Sequence, residues 1–334
     1  MRAFAMDDYG GPEVVTLRDL PTPAIGPQDI LIEVRAASVN PVDFKMRDGQ
    51  TKFLVKNTFP LVLGCDLSGV VARIGSSVTR FKRGDDVFVR LSKGRIGAFA
   101  ELAVVDQVLA APKPKNLTYV EAASIPLVGL TSWQALIDIG KVKPKDKVLI
   151  HAGSGGVGTF AIQLAKHLGA HVTTTASERN TALVSRLGAD VVIDYKKQRF
   201  EEVAAEYDVI YDTQGGETLE RSFAVVKRGG VVVTIAGKPD AKFAKAWGLN
   251  PVLVLALRIM MRKVTRLART SGSHFEFLFM RPDGVELAKI GELLECGVIK
   301  PVVDRTFPFD QTKEALAYVE SGKAVGKVVI EGVS

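Results

Sequence analysis

The chain has 334 residues, 47% hydrophobic and 24% charged, which excludes a disordered or collagen-like chain and is long enough for one large domain or two ordinary ones. Its two cysteines, Cys65 and Cys296, exclude a disulfide framework and a cysteine-bound zinc lobe, and with no secretory signal after Arg2 they lead to the expectation of a cytoplasmic protein. The net charge of +7 is one local feature: residues 238–269 hold eight basic side chains and only Asp240 as an acid, leaving 36 of each sign elsewhere and no general basic surface for nucleic acid.

In chain order, the first ~110 residues read as strands and turns. Arg2–Met6, Val14–Leu20, Ile30–Val39, Leu67–Ile74, Val87–Leu91 and Ala98–Val105 are short apolar or alternating runs, parted by Gly10-Gly11-Pro12, Gly26-Pro27, Gly75-Ser76 and Gly84-Asp85. This spacing predicts a small barrel-like β domain. Helical composition follows in Tyr119–Ile125 and Thr131–Ile139. Strands and helices then alternate: Lys147–His151, Val157–Leu168, His171–Thr175, Asn180–Leu187, Val191–Asp194, Val209–Tyr211 and Val231–Ile235. Leu168-Gly169-Ala170 and Leu187-Gly188-Ala189 each close a helix and enter a strand. Such alternation predicts a parallel sheet with right-handed crossovers. Beyond Pro251 the alternation lapses until a strand at Phe275–Met280, a helix at Gly284–Glu295, a strand at Val302–Phe307, a helix at Gln311–Ser321 and a strand at Lys327–Glu331. The apolar run Val252–Leu257 stops at Arg258, far short of the ~20 residues that span a bilayer.

The strongest motif is His151-Ala-Gly-Ser-Gly-Gly-Val-Gly158, in which Gly153, Gly155 and Gly158 satisfy G-x-G-x-x-G, with Ser154, Gly156 and Val157 between them. It follows a predicted strand and opens a predicted helix, the context in which such a turn cradles a pyrophosphate against a helix N-terminus. The plain alternative is a glycine turn with no ligand. At the tip of the next strand, Thr173 to Asn180 places no acid where a site for the unphosphorylated ribose needs one. Ser177 and Arg179 are candidates for a 2′-phosphate, so NADPH is expected. Ser177 also reads as a helix cap, Arg179 as a solvated residue, and Glu178 as a charge that would repel the phosphate. The four histidines, His151, His167, His171 and His274, show no metal-ligand spacing, and no metal site is expected.

On these and other motifs the chain resembles the zinc-free quinone oxidoreductase branch of the medium-chain dehydrogenase/reductase superfamily. The motifs are Ser38-Val-Asn-Pro-Val-Asp43, Pro60-Leu-Val-Leu-Gly-Cys-Asp-Leu-Ser-Gly-Val70, Gly97-Ala-Phe-Ala-Glu101, Gly129-Leu-Thr-Ser-Trp-Gln-Ala135, Ala152–Gly158, Asp194-Tyr195 and Gly326-Lys-Val-Val329. Within the branch it is most similar to the reticulon-interacting, chloroplast-envelope and alkenal/enone-reductase types. The resemblance implies an α/β protein: a GroES-like β-rich catalytic domain (1–124, completed by 281–334) plus a Rossmann doubly wound parallel-sheet domain (125–280), with NADPH in the cleft between them. Zinc enzymes of the superfamily carry Gly-His-Glu where this chain has Gly64-Cys65-Asp66. By the same resemblance, Asn40 lines the nicotinamide–substrate cleft and Thr131 lies near the nicotinamide. Tyr195 closes over the 2′-phosphate end, and Lys327 belongs to a C-terminal motif near the cofactor. Ala236, just past the strand Val231–Ile235, is counted with the cofactor-binding residues.

The activity implied is hydride transfer to a quinone or an α,β-unsaturated carbonyl, with negative charge developing on the carbonyl oxygen. Preordered donors must meet that charge. Asn40 and Lys45 are the candidates, with Asp43 orienting either. The plain alternatives are a turn residue before Pro41 for Asn40 and a solvated cation for Lys45. The basic segment 238–269 is open between a lid, a solvated face and peripheral contact with an anionic membrane, since Arg258, Arg262, Arg266 and Arg269 share a helical face. A different class of function, an NADPH-binding scaffold or sensor with little turnover, also fits the glycine turn. Phe275–Met280 is a candidate for edge-to-edge pairing in a homodimer.

Overall fold

Alternating apolar and polar residues draw the first 112 residues of the computed structural model into antiparallel strands. The structure describes every residue except Lys56, Ala204 and Ser334. In chain order the first strands are β1 (Arg2–Met6), β2 (Thr16–Asp19), β3 (Asp29–Val39), β4 (Leu61–Val62), β5 (Asp66–Ile74), β6 (Asp86–Arg90), β7 (Leu102–Asp106) and β8 (Ala110–Pro112), with helix α1 (Pro41–Arg47) after β3. Helices α2 (Tyr119–Ala123) and α3 (Pro126–Trp133) follow. The chain then alternates β9 (Lys147–Ile150), α4 (Gly156–His167), β10 (His171–Ala176), α5 (Thr181–Arg186), β11 (Val191–Asp194), α6 (Phe200–Val203), β12 (Tyr207–Asp212), α7 (Gly216–Ser222) and β13 (Val226–Thr234). Helices α8 (Ala241–Ala246), α9 (Pro251–Met260) and α10 (Arg262–Ser271) precede β14 (His274–Phe277). The chain ends with α11 (Gly284–Glu295), β15 (Val303–Pro308), α12 (Thr312–Glu320) and β16 (Lys327–Glu331).

The chain divides into two compact units, Met1–Leu130 with Arg281–Ser334, and Thr131–Met280. The first break falls within α3, six residues beyond the 124/125 boundary read from the sequence. The first unit is the GroES-like one. Its spine is β3, which pairs along its length with β5, while β7 takes the first half of its other edge and β16 the second half. The order β15-β16-β3-β5-β6-β8 makes a seven-stranded sheet with β7, beside a small sheet β2-β1-β4. Ile30, Ile32, Val34, Leu63, Phe99 and Ile330 belong to one apolar core, into which α12 sets Ala315 and Leu316.

The second unit carries a parallel sheet of order β11-β10-β9-β12-β13-β14, the Rossmann arrangement. Strand order reverses at β9, so the chain leaving its carboxyl end enters the position where such sheets bind ligands. The two glycines expected to stop helices, Gly169 and Gly188, have φ of 82° and 110°, left-handed values that a Cβ would strain.

Three readings differ from the structure for local reasons. Pro41–Arg47 is a helix, an element the sequence reading does not include: Asn40 caps it, Pro41 occupies its first turn, and the Asp43 carboxylate accepts the Asn40 N–H at 2.7 Å. The strand expected at Ala98–Val105 begins only at Leu102, because Phe99 and Glu101 exchange single hydrogen bonds with three different segments. The helix expected at Thr131–Ile139 starts earlier, at Pro126, and widens to π-type winding over Gln134–Ile139. Among the described residues no helix is long and apolar enough to cross a membrane.

Candidate active site

In the first unit, strand register assembles a buried polar row. Val39 stands opposite Val328, Ser38 opposite Asp66, and Asp66 opposite Arg90, so four neighbouring strands bring together Lys327, Asn40, Asp66 and Arg90. Asp43 joins them from the first turn of α1. All five are at most 5% exposed. The Lys327 ammonium donates to Val39 O at 3.0 Å and to Asn40 Oδ1, and lies 4.0 Å from Asp66 Oδ2. The Asn40 amide donates to Asp66 Oδ2 at 3.0 Å and, more weakly, to Ser38 O at 3.4 Å. Asp66 Oδ2 also accepts from Leu127 N–H at 3.2 Å and Ser38 Oγ at 3.3 Å.

This row is two carboxylates against two cations in a place with little water. Burial raises the Asp66 carboxyl, against the pull of Lys327 and Arg90. Burial also lifts Asp43 to about 6, against its bond from the Asn40 N–H. It lowers Lys327, offset by Asp66 and Asp43, and raises the Cys65 thiol well above its usual range, so Cys65 is an inert buried side chain. Asp43 Oδ1 and Asp66 Oδ1 are buried with no hydrogen-bond partner among the described residues. A carboxyl with a free oxygen and a raised pKa can hold a proton near neutral pH.

Of the sequence candidates, the structure brings together Asn40, Asp43 and Lys327. Lys45 is exposed on α1, away from the row. Sequence reasoning missed Asp66 and Arg90; the Gly64-Cys65-Asp66 departure was the available signal, and it was read only as an absence of zinc ligands.

In the second unit, each glycine after β9 has its own reason. A Cβ on Gly153 would overlap Thr174 Oγ1, and one on Gly158 would overlap Ala152 O. Both are therefore held by the protein's own packing. A Cβ on Gly155 meets nothing nearer than Ala152 O at 3.4 Å, so its face is open for close approach by a ligand. Gly155 caps α4, whose first N–H groups are unpaired in the helix. Ala152 is held at φ 53° and donates its N–H to Thr175 Oγ1 at 3.0 Å. Asn180 Nδ2 donates to Ser154 Oγ at 2.9 Å, tying this turn to the end of β10. His151 is buried against Phe200, with Nε2 3.1 Å from Ser222 Oγ, and burial pushes it down to about 3, so it is a neutral structural residue.

Around the tip of β10, Ser177 is buried, Arg179 is exposed and Tyr195 is 60% exposed. Glu178, the charge that argued against a phosphate, pairs with Lys197 at 2.9 Å. Thr131 is buried at the start of the unit, and the Ala236 N–H donates to Thr234 Oγ1 at 3.1 Å.

The alcohol dehydrogenase GroES-like domain matches residues 26–115, and the zinc-binding dehydrogenase family matches residues 187–330. Mouse NAD(P)H oxidoreductase RTN4IP1, mitochondrial, is 36% identical over all of this chain and 89% of its own length. The chain belongs to the quinone oxidoreductase branch of the medium-chain dehydrogenase/reductase superfamily. Also similar are the chloroplastic NADPH-dependent alkenal/one oxidoreductase of Arabidopsis thaliana, 34% identical over 99% of this chain and 79% of its own, and the quinone oxidoreductase structure from Coxiella burnetii, 33% identical with a TM-score of 0.86 over 99% of each chain. The expectation of a cytoplasmic protein is withdrawn, since these relatives are named mitochondrial and chloroplastic and a low cysteine count does not separate such compartments.

One of the matching families is named for zinc, but the donor set here does not suit that metal. Among the described residues no three His, Cys, Asp or Glu side chains converge as ligands would. The Lys327 ammonium and the Asn40 amide already engage Asp66 Oδ2. The glycine turn and the tip of β10, by contrast, fit a phosphorylated dinucleotide: an open Gly155, a free helix end, and a neutralised Glu178.

Proposed function

We propose that the protein is a zinc-independent, NADPH-dependent reductase of quinones or α,β-unsaturated carbonyls. The observation that carries the reading is the buried Lys327 ammonium fixed on Asn40, a preordered positive group that needs no metal. NADPH supplies a hydride when bound. Gly155 and the start of α4 hold its pyrophosphate; Ser177, Arg179 and Lys197 supply hydrogen bonds and positive charge for the 2′-phosphate, with Tyr195 beside it. Thr131 and Ala236 belong to the nicotinamide end.

The acceptor's carbonyl oxygen gains negative charge as hydride arrives. Lys327 sets the positive potential that stabilises it, and Asn40, which accepts from the ammonium and donates to Asp66, holds it in position. Asp43, lifted to about 6, can release or take up a proton in the working range. The cationic role passes from Lys45 to Lys327, because an exposed ammonium in high dielectric contributes little.

Two finer parts belong to the same proposal. The protein works as a homodimer, supported by β14, which ends the parallel sheet and pairs within the chain only with β13 among the described residues. The basic segment 238–269 makes peripheral contact with a membrane.

Steady-state oxidation of NADPH and NADH by the purified chain, with a small quinone and a simple enone, tests the main reading. Turnover that prefers NADPH and falls at least about tenfold in Asn40→Ala supports it. Tight NADPH binding without turnover on either acceptor overturns it.

A further inference from the structure

Helices α9 and α10 pack one side firmly. Val254 and Leu257 of α9 bury against Ala244 of α8, and Met261, Val264 and Ala268 bury in the core with Phe223 and Leu219. The opposite side is unusual. Val252 is 76% exposed, Ile259 65%, Leu255 56% and Met260 45%. An isolated exposed aliphatic residue needs no explanation, but four within nine residues form a ridge.

The ridge continues as charge. By their spacing of three and four residues, positions 252, 255 and 259 share one face of α9, and positions 262, 266 and 269 share one face of α10. Met261 joins the two helices: its N–H bonds to Leu257 O and its own O accepts from Thr265 N–H, both at 2.9 Å, while its φ of −87° and ψ of 5° mark the break between α9 and α10. The first three positions are Val252, Leu255 and Ile259; the last three are Arg262, Arg266 and Arg269. All three arginines are exposed, and none has a carboxylate partner among the described residues; neither has Arg258. Neighbouring Lys242 and Lys263, by contrast, are paired with Glu276 and Glu220.

A second copy does not fit this face. Parallel pairing would set three arginines against three arginines, and antiparallel pairing of α9 with α9 would cover Val252, Leu255 and Ile259 but leave all three arginines without a counter-charge. An anionic surface that is apolar just beneath its charge satisfies both halves. We infer that α9 and α10 dock the protein on an anionic phospholipid bilayer, with Val252, Leu255 and Ile259 entering the boundary between headgroups and acyl chains and the arginines bound to lipid phosphates. This rests on the peripheral membrane contact proposed above and names its surface; it does not depend on the redox chemistry.

The test is sedimentation of the full chain with vesicles of phosphatidylcholine plus phosphatidylserine, beside phosphatidylcholine alone, over a range of salt. Binding is expected only with the anionic lipid and weakens as salt rises. The double variant Arg262→Gln/Arg266→Gln should bind roughly 25-fold more weakly, about fivefold per charge. Ile259→Ser should lose about tenfold at unchanged charge. NADPH oxidation with a soluble quinone should be unchanged in both variants, which shows that they fold and keeps this test separate from the catalytic one. No binding to anionic vesicles at low salt overturns the inference, as does binding indifferent to both variants. Self-association that Ile259→Ser abolishes would assign the ridge to a second copy, and binding to a soluble acidic polypeptide but not to vesicles would assign it to a protein partner; either also overturns it.

Discussion

Replacing Lys327 by Met tests the buried row at its centre. Methionine keeps most of the stem's volume, so the change removes charge and hydrogen bonds rather than packing. Two acceptors lose their donor, Val39 O and Asn40 Oδ1, and Asp66 loses the cation 4.0 Å away. Leaving one partner of a buried ion pair uncompensated costs about 3–5 kcal/mol. The carboxyl responds by keeping its proton. Its folded pKa, already raised by burial, rises further, so the variant loses stability as pH climbs through that value and the unfolded state ionises freely. The deficit against the parent is therefore larger at about pH 8 than at about pH 5. Urea unfolding followed by circular dichroism at both pH values measures it, and Asp66→Asn in the Lys327→Met background should recover part of the loss. A deficit below about 1 kcal/mol, equal at both pH values, would show instead that Lys327 is solvated or neutral and forms no buried ion pair.

Asp43→Asn removes a buried carboxyl lifted to about 6 from its ordinary value of 3.8. Native Asp43 binds its proton where the unfolded chain has released it, so the parent gains stability relative to the variant as pH falls from above 6 towards 4, by about 3 kcal/mol in all; a flat difference across that window contradicts this. Gly155→Ala should fold normally and lose at least about tenfold in NADPH affinity, because its methyl occupies the open face of the turn; Gly153→Ala, whose Cβ would overlap Thr174 Oγ1, should instead lower the melting temperature. Lys197→Ala unmasks Glu178, raising the KM for NADPH by roughly threefold at low salt while leaving that for NADH unchanged, and added salt should shrink the effect.

The sequence was most legible where one local signal sufficed. Arg2–Met6, Val191–Asp194 and Lys327–Glu331 alternate or run apolar between clear turns, and Asp283 caps the helix Gly284–Glu295 by accepting the Val285 and Glu286 N–H groups at 2.9 and 3.0 Å. The candidate site was legible in its parts but not in its joins. Lys327 and Asn40 meet because β16 lies against β3, a pairing across 287 positions that no periodicity encodes. Glu178 reads as a repelling charge in sequence; only the parallel pairing of Ala176 with Asp194 brings the strand tips together and Lys197 within reach. Lys45 carries the same charge as Lys327, and burial, which composition does not reveal, separates their roles.

The proposed reaction is a direct hydride transfer from NADPH, with Lys327 stabilising the charge that develops on the acceptor. The most direct measurement uses NADPH deuterated at its transferable position, with a simple enone as acceptor and mass spectrometry of the product. One deuterium is expected on the former β-carbon in the parent, and the same label placement at a much lower rate in Asn40→Ala. Reduced product without deuterium, or a rate untouched by Asn40→Ala, would contradict it.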